Sequence, residues 1–255
     1  MKPTDNSPAA SPVLADGHQN RKVKVYLAVA GHFASNDVLF VQSMMALTIR
    51  PLVTIQFGWS CDPSVERARN ILTQNFLESD CTHILFVDAD IGFASEDVAR
   101  IASHNEGVVG GLYPLKNQDP TVKWCLNALE PSPAPTPEGL QQVKYIGTGF
   151  LCVRRDVFER IADFNGYLLD YRQDFPPHRI EHAYWRQGVA GRRFLTEDWM
   201  FCHLCHQIGI PVFADTGVVL KHAGRAEWPL PHQAGNPFAP VSTGPATDPN
   251  APRTS

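Results

Sequence analysis

ILFVDADIGF, residues 84–93, is the stretch that decides the fold: four apolar residues run directly into Asp88 and Asp90, two acids separated by one residue. A run that short, with a β-branched residue at each end, predicts a buried strand rather than a helix. Ligands bind at the carboxyl ends of the strands of an α/β sheet. Two carboxylates there can hold a hard divalent cation, and the cation can hold phosphate oxygens.

Strands and helices alternate around this stretch, which predicts parallel α/β architecture over the first hundred residues and a less regular second half. In the first half the sequence predicts strands over 22–30 and 52–57, the second closed by Gly58. Between them it predicts a helix that Asn36 or Asp37 caps and that ends before Pro51. Two further helices are predicted to begin at Asp62-Pro63 and at Ser95. In the second half it predicts strands over 107–114, 145–153, 210–215 and 217–222, a short helix capped by Asp156, and a helix opened by Thr196, Glu197 and Asp198.

Composition is that of a soluble globular protein. The chain has 255 residues, of which 44% are hydrophobic and 19% charged, and its net charge of −4 gives no sign of nucleic-acid binding. No apolar segment approaches the roughly 18 residues of a membrane span. Six cysteines without an export signal predict reduced thiols and a cytoplasmic location.

Both ends of the chain are rich in Pro and poor in aliphatic residues. This composition predicts a disordered leader over residues 1–20 and a disordered Pro/Gly-rich tail over 229–255. The folded domain is then expected over residues 21–228.

Five segments together resemble a nucleotide-sugar glycosyltransferase of the GT-A fold, similar to glycosyltransferase family 2. These segments are ARN…FLESDCTHILFVDADIGF, GGLYP, GTGFLCVRR, TEDW…GIPV and LKHAG. The resemblance covers residues 23–224. It implies an α/β fold with a Rossmann-like mixed central sheet flanked by helices, a nucleotide-sugar-binding half (21–115) and an acceptor half (116–228). The implied enzyme is a hexosyl- or pentosyltransferase.

The resemblance also assigns roles to individual residues. Asp88 would face the donor ribose or a metal, Asp90 would bind the metal, and His222 would complete the metal site. Mn²⁺ or Mg²⁺ would bridge the diphosphate of a nucleoside-diphosphate sugar. Asp198, or else Glu197, would be the general base that takes a proton from the acceptor hydroxyl. The further donor-site residues are Arg67, Arg69, Asn70, Ala30 and Gly31, and the acceptor-site residues are Gly147, Thr148, Gly149, Tyr184 and Trp185.

Each of these assignments has a purely structural alternative. The acids can cap helices, His222 can be a surface histidine, and Arg67 and Arg69 can form a solvated helix face. Gly147 and Gly149 either leave room for something to lie against the strand or only shape its end. The aromatic residues of segment 165–193, among them Tyr167 and Tyr171, either serve a functional loop or pack it down.

The segment Cys202-His-Leu-Cys205-His206 matches the C-x-x-C-H pattern of haem attachment. Because haem attachment requires export and zinc requires further ligands, we expect core thiols at Cys202 and Cys205. An aspartate-nucleophile phosphatase would carry its DxD on the first strand. A sugar-phosphate nucleotidyltransferase would carry a Gly-rich loop after that strand. A non-catalytic nucleotide-sugar-binding module of the same fold is the third alternative.

The acceptor is a glycan or, if the chain comes from a phage, a hydroxymethylated DNA base. Basic residues in the second half are compatible with DNA, although an anionic glycan or plain solubility explains them equally well. These residues are Lys144, Arg154, Arg155, Arg172, Arg179, Arg186, Arg192 and Arg193.

Overall fold

The computed structural model describes residues 22–31, 37–116, 124–164, 170–172, 178 and 180–224. The predicted leader (1–20) and tail (229–255), the alternative cap Asn36, Tyr167 and Arg179 lie outside the described residues. Within the described part of the chain, no helix is long and apolar enough to cross a membrane.

Strands and helices alternate in the first half, as predicted. The strands are β1 (Lys24–Ala30), β2 (Thr54–Ser60), β3 (His83–Asp88), β4 (Ile91–Gly92), β5 (Val108–Leu112), β6 (Leu126–Ala128), β7 (Leu140–Ile146), β8 (Phe150–Arg154), β9 (Asp170–Arg172), β10 (Ile180–His182), β11 (Gly188–Ala190), β12 (Arg193–Leu195), β13 (Val212–Val219) and β14 (Lys221–His222). The helices are α1 (Val38–Ile49), α2 (Val65–Glu78), α3 (Ser95–Ser103), α4 (Arg155–Asp163) and α5 (Glu197–Gln207).

The centre of the fold is an eight-stranded sheet with the order β2-β1-β3-β8-β5-β13-β7-β6. Strand β1 runs parallel to β2 and β3, and β5 runs parallel to β13. Strand β8 lies antiparallel between β3 and β5, and β7 is antiparallel to β13. The mixed central sheet that the resemblance implies is confirmed.

Helices cover both faces of this sheet, because successive side chains of a strand point to opposite faces. Ile84 and Phe86 pack in one buried cluster with residues of α2, α4 and α5. Leu85 and Val87 pack in the other cluster with residues of α1 and α3. The apolar run before the two acids is therefore a strand buried on both sides, as predicted.

Two strand boundaries differ from the prediction, and glycines explain both. Gly58 does not close β2 but lies inside it. A Cβ there would come 2.3 Å from the Tyr26 hydroxyl, which explains why this strand position is a glycine. The predicted strand 145–153 is two strands, since β7 ends before Gly147 and β8 begins after Gly149. The two glycines thus lie in the connection between strands.

The predicted strands 210–215 and 217–222 are joined, since β13 continues from the first into the second as far as Val219, and the short β14 follows. The register of β13 against β5 shifts between Asp215 and Val219. Asp215 is completely buried, and its carboxylate accepts hydrogen bonds from Arg100 (2.8 Å) and from the backbone N–H of Gly217 (2.9 Å). The bond to Gly217 turns the chain locally while the strand remains in the sheet.

The C-x-x-C-H segment lies on α5, and the structure places it in the core. Cys202 and Cys205 are fully buried, and burial raises the pKa of the Cys202 thiol to about 12. Nε2 of His206 lies 2.8 Å from the backbone oxygen of Lys144. These contacts agree with the core-thiol interpretation and not with haem or zinc ligation.

Candidate active site

Asp88 and Asp90 lie at the carboxyl end of β3, where the buried strand reaches the surface of the sheet edge. Asp88 is the last residue of β3 and pairs in register with Ala30, so the end of β1 with Gly31 lies beside it. The backbone N–H of Asp88 donates to the oxygen of Gly149 (3.0 Å), and Asp37, the cap of α1, donates its N–H to Ala89 (2.9 Å). The turn that carries both acids is therefore held from three sides.

His222 is brought to Asp90 by the pairing of two short strands, β4 and β14. His222 lies opposite Ile91, and the N–H of Ala223 donates to the backbone oxygen of Asp90 (2.8 Å). This register places Nε2 of His222 3.6 Å from Oδ1 of Asp90, too far for a hydrogen bond. Residues 132 apart in the sequence numbering are thus joined at one edge.

The orientation of the His222 ring leaves one nitrogen available as a ligand. Its Nδ1 lies 2.7 Å from the backbone oxygen of Pro114, which can only accept a hydrogen bond, so Nδ1 carries the proton. Nε2 then presents a lone pair toward Asp90. Among the described residues, the buried Oδ1 of Asp90 has no hydrogen-bond partner.

The second oxygen of Asp90 accepts a hydrogen bond from Lys116, a residue that the sequence analysis did not single out. Burial by itself raises the pKa of Asp90, but His222, when its ring is protonated, and Lys116 outweigh that effect and hold the pKa below its usual range. Asp90 is therefore ionised at neutral pH. Within the described ranges, no group of three or more His, Cys, Asp and Glu side chains is arranged to hold a metal.

Arg69 links the acid at the end of β3 to the acid at the start of α5. Only 4% of Arg69 is exposed, and its guanidinium donates to Oδ1 of Asp88 (3.1 Å) and to Oε1 of Glu197. Burial alone would lower the pKa of Arg69, but the charges of Asp88 and Glu197 raise it. Because the guanidinium is buried between two acids, the structure gives it a positioning role, whereas the sequence predicted a contact with the donor.

Glu197 and Asp198 occupy the first turn of α5 and differ in exposure. Glu197 is buried, and this burial raises the pKa of its carboxyl, an effect that Arg69 only partly offsets. Asp198 is half-buried, and its Oδ1 accepts hydrogen bonds from the Thr196 hydroxyl and from the N–H of Trp199 (2.8 Å). Its Oδ2 takes no hydrogen bond from the part of the chain that the structure describes.

Tyr113 and Cys125 lie between the acids, and the residue-level sequence analysis missed both. Burial raises the pKa of Tyr113 well above its ordinary value, and the charges of Asp88 and Asp198 add to this effect. Burial also raises the pKa of Cys125 to about 12, again with contributions from Asp198, Asp88 and Asp90. Both groups therefore lie within electrostatic reach of acids from both halves of the chain. The only signal for Tyr113 was its place in the segment GGLYP.

Tyr113 fills the space that the paired glycines leave open. A Cβ on Gly147 would come 2.2 Å from the Tyr113 hydroxyl, and one on Gly149 would come 2.8 Å from it. The N–H of Gly149 donates to that hydroxyl (2.8 Å). Thr148, between the glycines, is buried, and within the described residues its hydroxyl has no hydrogen-bond partner. The room at the glycines is thus occupied by the protein itself.

Several predicted site residues pack against, or form hydrogen bonds with, other parts of the protein. Trp185 is fully buried and stacks on Phe201, with ring centroids 4.2 Å apart, and Tyr184 is 4% exposed. Asn70 exchanges hydrogen bonds of 2.9 Å with the backbone of Trp185. Arg67 donates from Nε to Asp62 (2.6 Å) at the surface of α2. The core position of Tyr184 and Trp185 removes their rings from the surface that an acceptor would touch.

Part of the basic character of the second half is structural. Arg155 donates to backbone oxygens near the end of α2, namely those of Phe76, Leu77, Ser79 and Cys81. Arg154 donates to the carboxylate of Asp156. Arg193 lies over the ring of Trp199, 4.7 Å from its centroid. These three cations have partners in the fold, so they are weak evidence for a nucleic-acid surface.

No family model matches this chain, and no curated protein matches it. Among solved structures it is similar to A197 from STIV, with 15% identity, 79% of this chain and 86% of that chain covered, and a TM-score of 0.48. It is also similar to a variant of the Drosophila β-1,4-galactosyltransferase 7 in complex with manganese, UDP-Gal and xylobiose, with 15% identity, coverage of 80% and 71%, and a TM-score of 0.47. A third match is a glycosyltransferase involved in glycosylation of the major capsid of PBCV-1, with 13% identity, coverage of 54% and 62%, and a TM-score of 0.30. Two of these three solved structures are glycosyltransferases.

Proposed function

We propose that this chain is a metal-dependent glycosyltransferase that moves a sugar from a nucleoside-diphosphate sugar to an acceptor hydroxyl. The observation that carries the proposal is the facing pair of Asp90 and His222. An oxygen of Asp90 that has no hydrogen-bond partner among the described residues lies 3.6 Å from Nε2 of His222. Asp88, Asp90 and Asp198 all lie within electrostatic reach of Cys125, so carboxylates from both halves of the chain share this region.

The residues present fit a divalent cation that is shared with a substrate. Carboxylate oxygen and neutral imidazole suit Mn²⁺, and carboxylate oxygen suits Mg²⁺. Asp90 and His222 would hold the ion, and diphosphate oxygens of the donor would supply further ligands. The bound ion would supply Lewis-acid stabilisation of the charge that grows on the leaving nucleoside diphosphate. Because Asp90 is ionised and the His222 tautomer is fixed, both groups are ready to bind without rearrangement.

Asp88 is suited to position the donor. Its Oδ1 is held by Arg69, and the side chain is 34% exposed, so the carboxylate has a fixed direction and an accessible second oxygen. Ala30 and Gly31 lie beside it at the end of β1, where the donor nucleoside would bind. We assign Asp88 to the donor ribose or to the metal, as the resemblance implies.

Asp198 is the candidate general base. Thr196 and the N–H of Trp199 fix Oδ1, which leaves Oδ2 to accept the proton of the acceptor hydroxyl. Glu197 is the weaker candidate, because it is buried and bound to Arg69. The acceptor hydroxyl would approach near the half-exposed face of Asp198.

Thermal-shift screening of UDP-, GDP- and dTDP-sugars with Mn²⁺ identifies the donor, because a ligand that binds only the folded state raises the melting temperature. With the selected donor, release of nucleoside diphosphate is then measured. Asp198→Asn is expected to keep donor binding and to lower release roughly 100-fold or more, because the base is lost. Asp90→Asn is expected to weaken Mn²⁺ binding in calorimetry with UDP present. Glu159→Gln, an exposed carboxamide variant on α4, serves as the matched control.

Several results would contradict the proposal. Wild-type release in both Asp90→Asn and Asp198→Asn would remove these residues from the mechanism. Consumption of a nucleoside triphosphate with a sugar phosphate, releasing pyrophosphate, would identify a nucleotidyltransferase instead. Donor binding without release or transfer to any hydroxyl compound would favour a non-catalytic nucleotide-sugar-binding module. A glycan or a hydroxymethylated DNA base remains the proposed acceptor, and competition with each class of compound distinguishes them.

A further inference from the structure

The outer side of α1 and the edge strand β2 form a continuous apolar surface, with Lys22 and Arg50 at its border. Ile49 is 81% exposed and Phe57 is 51% exposed. One groove of this surface is lined by residues of α1 and by Trp59, the other by residues of β2 and its preceding loop, and Thr48 borders both grooves. We call it the β2–α1 face and define it by Val41, Met45, Ile49, Leu52, Phe57 and Trp59.

β2 is an edge strand without the usual protection of such strands. Within the described residues it pairs only with β1, in unbroken register over seven residues, so its outer backbone groups are open to another strand. Edge strands are ordinarily blunted by charged side chains, proline, bulges or shortness. Strand β2, TIQFGWS, has none of these features. The opposite edge, β6, is only three residues long and carries a register shift.

Helix α1, which lies beside this edge, also carries no charged side chain. α1, VLFVQSMMALTI, contains no acidic or basic residue, and its outward positions Val41, Met45 and Ile49 are spaced four residues apart. Phe40 of α1 contacts the ring of Trp59 on β2, with centroids 6.2 Å apart, so helix and strand form one surface. Helices that bind lipid surfaces carry Lys and Arg on their polar side. Because α1 and β2 have neither, a lipid partner is disfavoured.

The area of the face fits a protein interface. From the exposed fractions of its six side chains, it offers on the order of 600 Å² of apolar surface per copy, close to the roughly 800 Å² per partner of a standard interface. A patch of that size lies at the upper end of the roughly 300–600 Å² that the largest patch of a typical monomer covers, and patches of this kind are often functional. The open strand edge adds backbone hydrogen bonds to this area.

We propose that the β2–α1 face is the interface of a symmetric homodimer, in which β2 pairs antiparallel with β2 of a second copy. An antiparallel pair of identical strands has twofold symmetry, so the same residues meet on both sides. Both central sheets become one continuous sheet, and the two α1 helices lie on the same face of it. Val41, Met45 and Ile49 of each copy then cover Phe57 and Trp59 at the joint.

The test uses sedimentation equilibrium of the full 255-residue chain, from about 1 to about 100 μM. Ile49→Glu places a charge on an exposed helix position and should leave folding intact. Phe57→Thr keeps a residue suited to strands but removes the ring. The matched control is Val189→Glu, since Val189 is 68% exposed on β11, outside the face. Melting curves by circular dichroism verify that each variant is folded.

The expected result is a dimer whose dissociation constant rises tenfold or more in Ile49→Glu and in Phe57→Thr but not in Val189→Glu. Hydrogen exchange of the β2 amides should also accelerate on dilution, since their outer partners are lost with the second copy. A wild-type monomer over the whole concentration range would overturn the proposal. Binding of that monomer to phosphatidylserine vesicles would then assign the face to a lipid surface instead. A dimer that both folded variants leave unchanged would overturn it as well.

Discussion

Replacing Arg69 should destabilise the fold much more than replacing its exposed neighbour on the same helix. Arg69 is 4% exposed and holds Asp88 and Glu197, so Arg69→Leu keeps most of the volume but leaves both carboxylates without their cation. Removing one partner of a buried ion pair costs about 3–5 kcal/mol. Most of that loss should come from Glu197, whose side chain is 11% exposed against 34% for Asp88, where water screens the charge.

The assay is urea unfolding of the wild type, Arg69→Leu and the control Arg67→Leu. Arg67 lies two residues earlier on α2, and its pair with Asp62, whose side chain is 11% exposed, should be worth about 1–2 kcal/mol because water reaches the guanidinium, which is 37% exposed. A double variant, Arg69→Leu with Glu197→Gln, should recover part of the loss because it removes the stranded carboxylate. Equal losses in Arg69→Leu and Arg67→Leu would refute the argument that Arg69 is a buried clamp.

The same variant should respond to pH in a defined direction. Burial already raises the pKa of Glu197 in the folded state, and removing Arg69 takes away the charge that offsets burial. The folded state then binds more protons than the unfolded state, so stability rises as pH falls. The cost of Arg69→Leu should therefore be smaller at pH 5 than at pH 7. A cost that is independent of pH would show that Glu197 does not carry the effect.

Three further predictions concern stability and are checked by urea unfolding. Burial lowers the pKa of His83 to about 4, so stability should fall between about pH 6.5 and 4 by up to roughly 3 kcal/mol, and His83→Gln should lose this dependence. Trp185→Ala should cost about 3–5 kcal/mol because the indole is fully buried, whereas an acceptor-binding surface tryptophan would cost far less. Asp215→Ala should cost about 2–3 kcal/mol, since its carboxylate takes charge-assisted bonds from Arg100 and His104.

The candidate metal pair shows how far residue patterns reach. The acids at the end of β3 follow from a local pattern, an apolar run that can only be buried and a polar pair that must leave the core. His222 at a strand end was equally local. The distance between Asp90 and His222 could not be predicted from a local pattern. It depends on the pairing of β14 with β4 and on the hydrogen bond from His222 to Pro114, a residue 108 positions earlier.

In the acceptor half, the positions of two aromatic side chains did not follow from the local sequence. Aromatic side chains in a long irregular segment suggested a binding loop, yet Tyr184 and Trp185 pack in the core. Trp185 is held there by Asn70 and Thr73 of α2, residues more than a hundred positions away. Amphipathic periodicity carries no information about such contacts, so the sequence could not separate a binding aromatic from a core aromatic.

By itself the sequence determined the buried strand, its acidic end and the helices that alternate with the strands. Each of these follows from the spacing of apolar residues over a few positions, which decides what must be buried. Only the tertiary structure decided that Arg69 binds both Asp88 and Glu197, the latter 128 positions after Arg69 in the sequence. It also decided that Tyr113 fills the space at Gly147 and Gly149. The physical reason is that charge pairing and close packing depend on which distant elements meet, and no local pattern encodes that meeting.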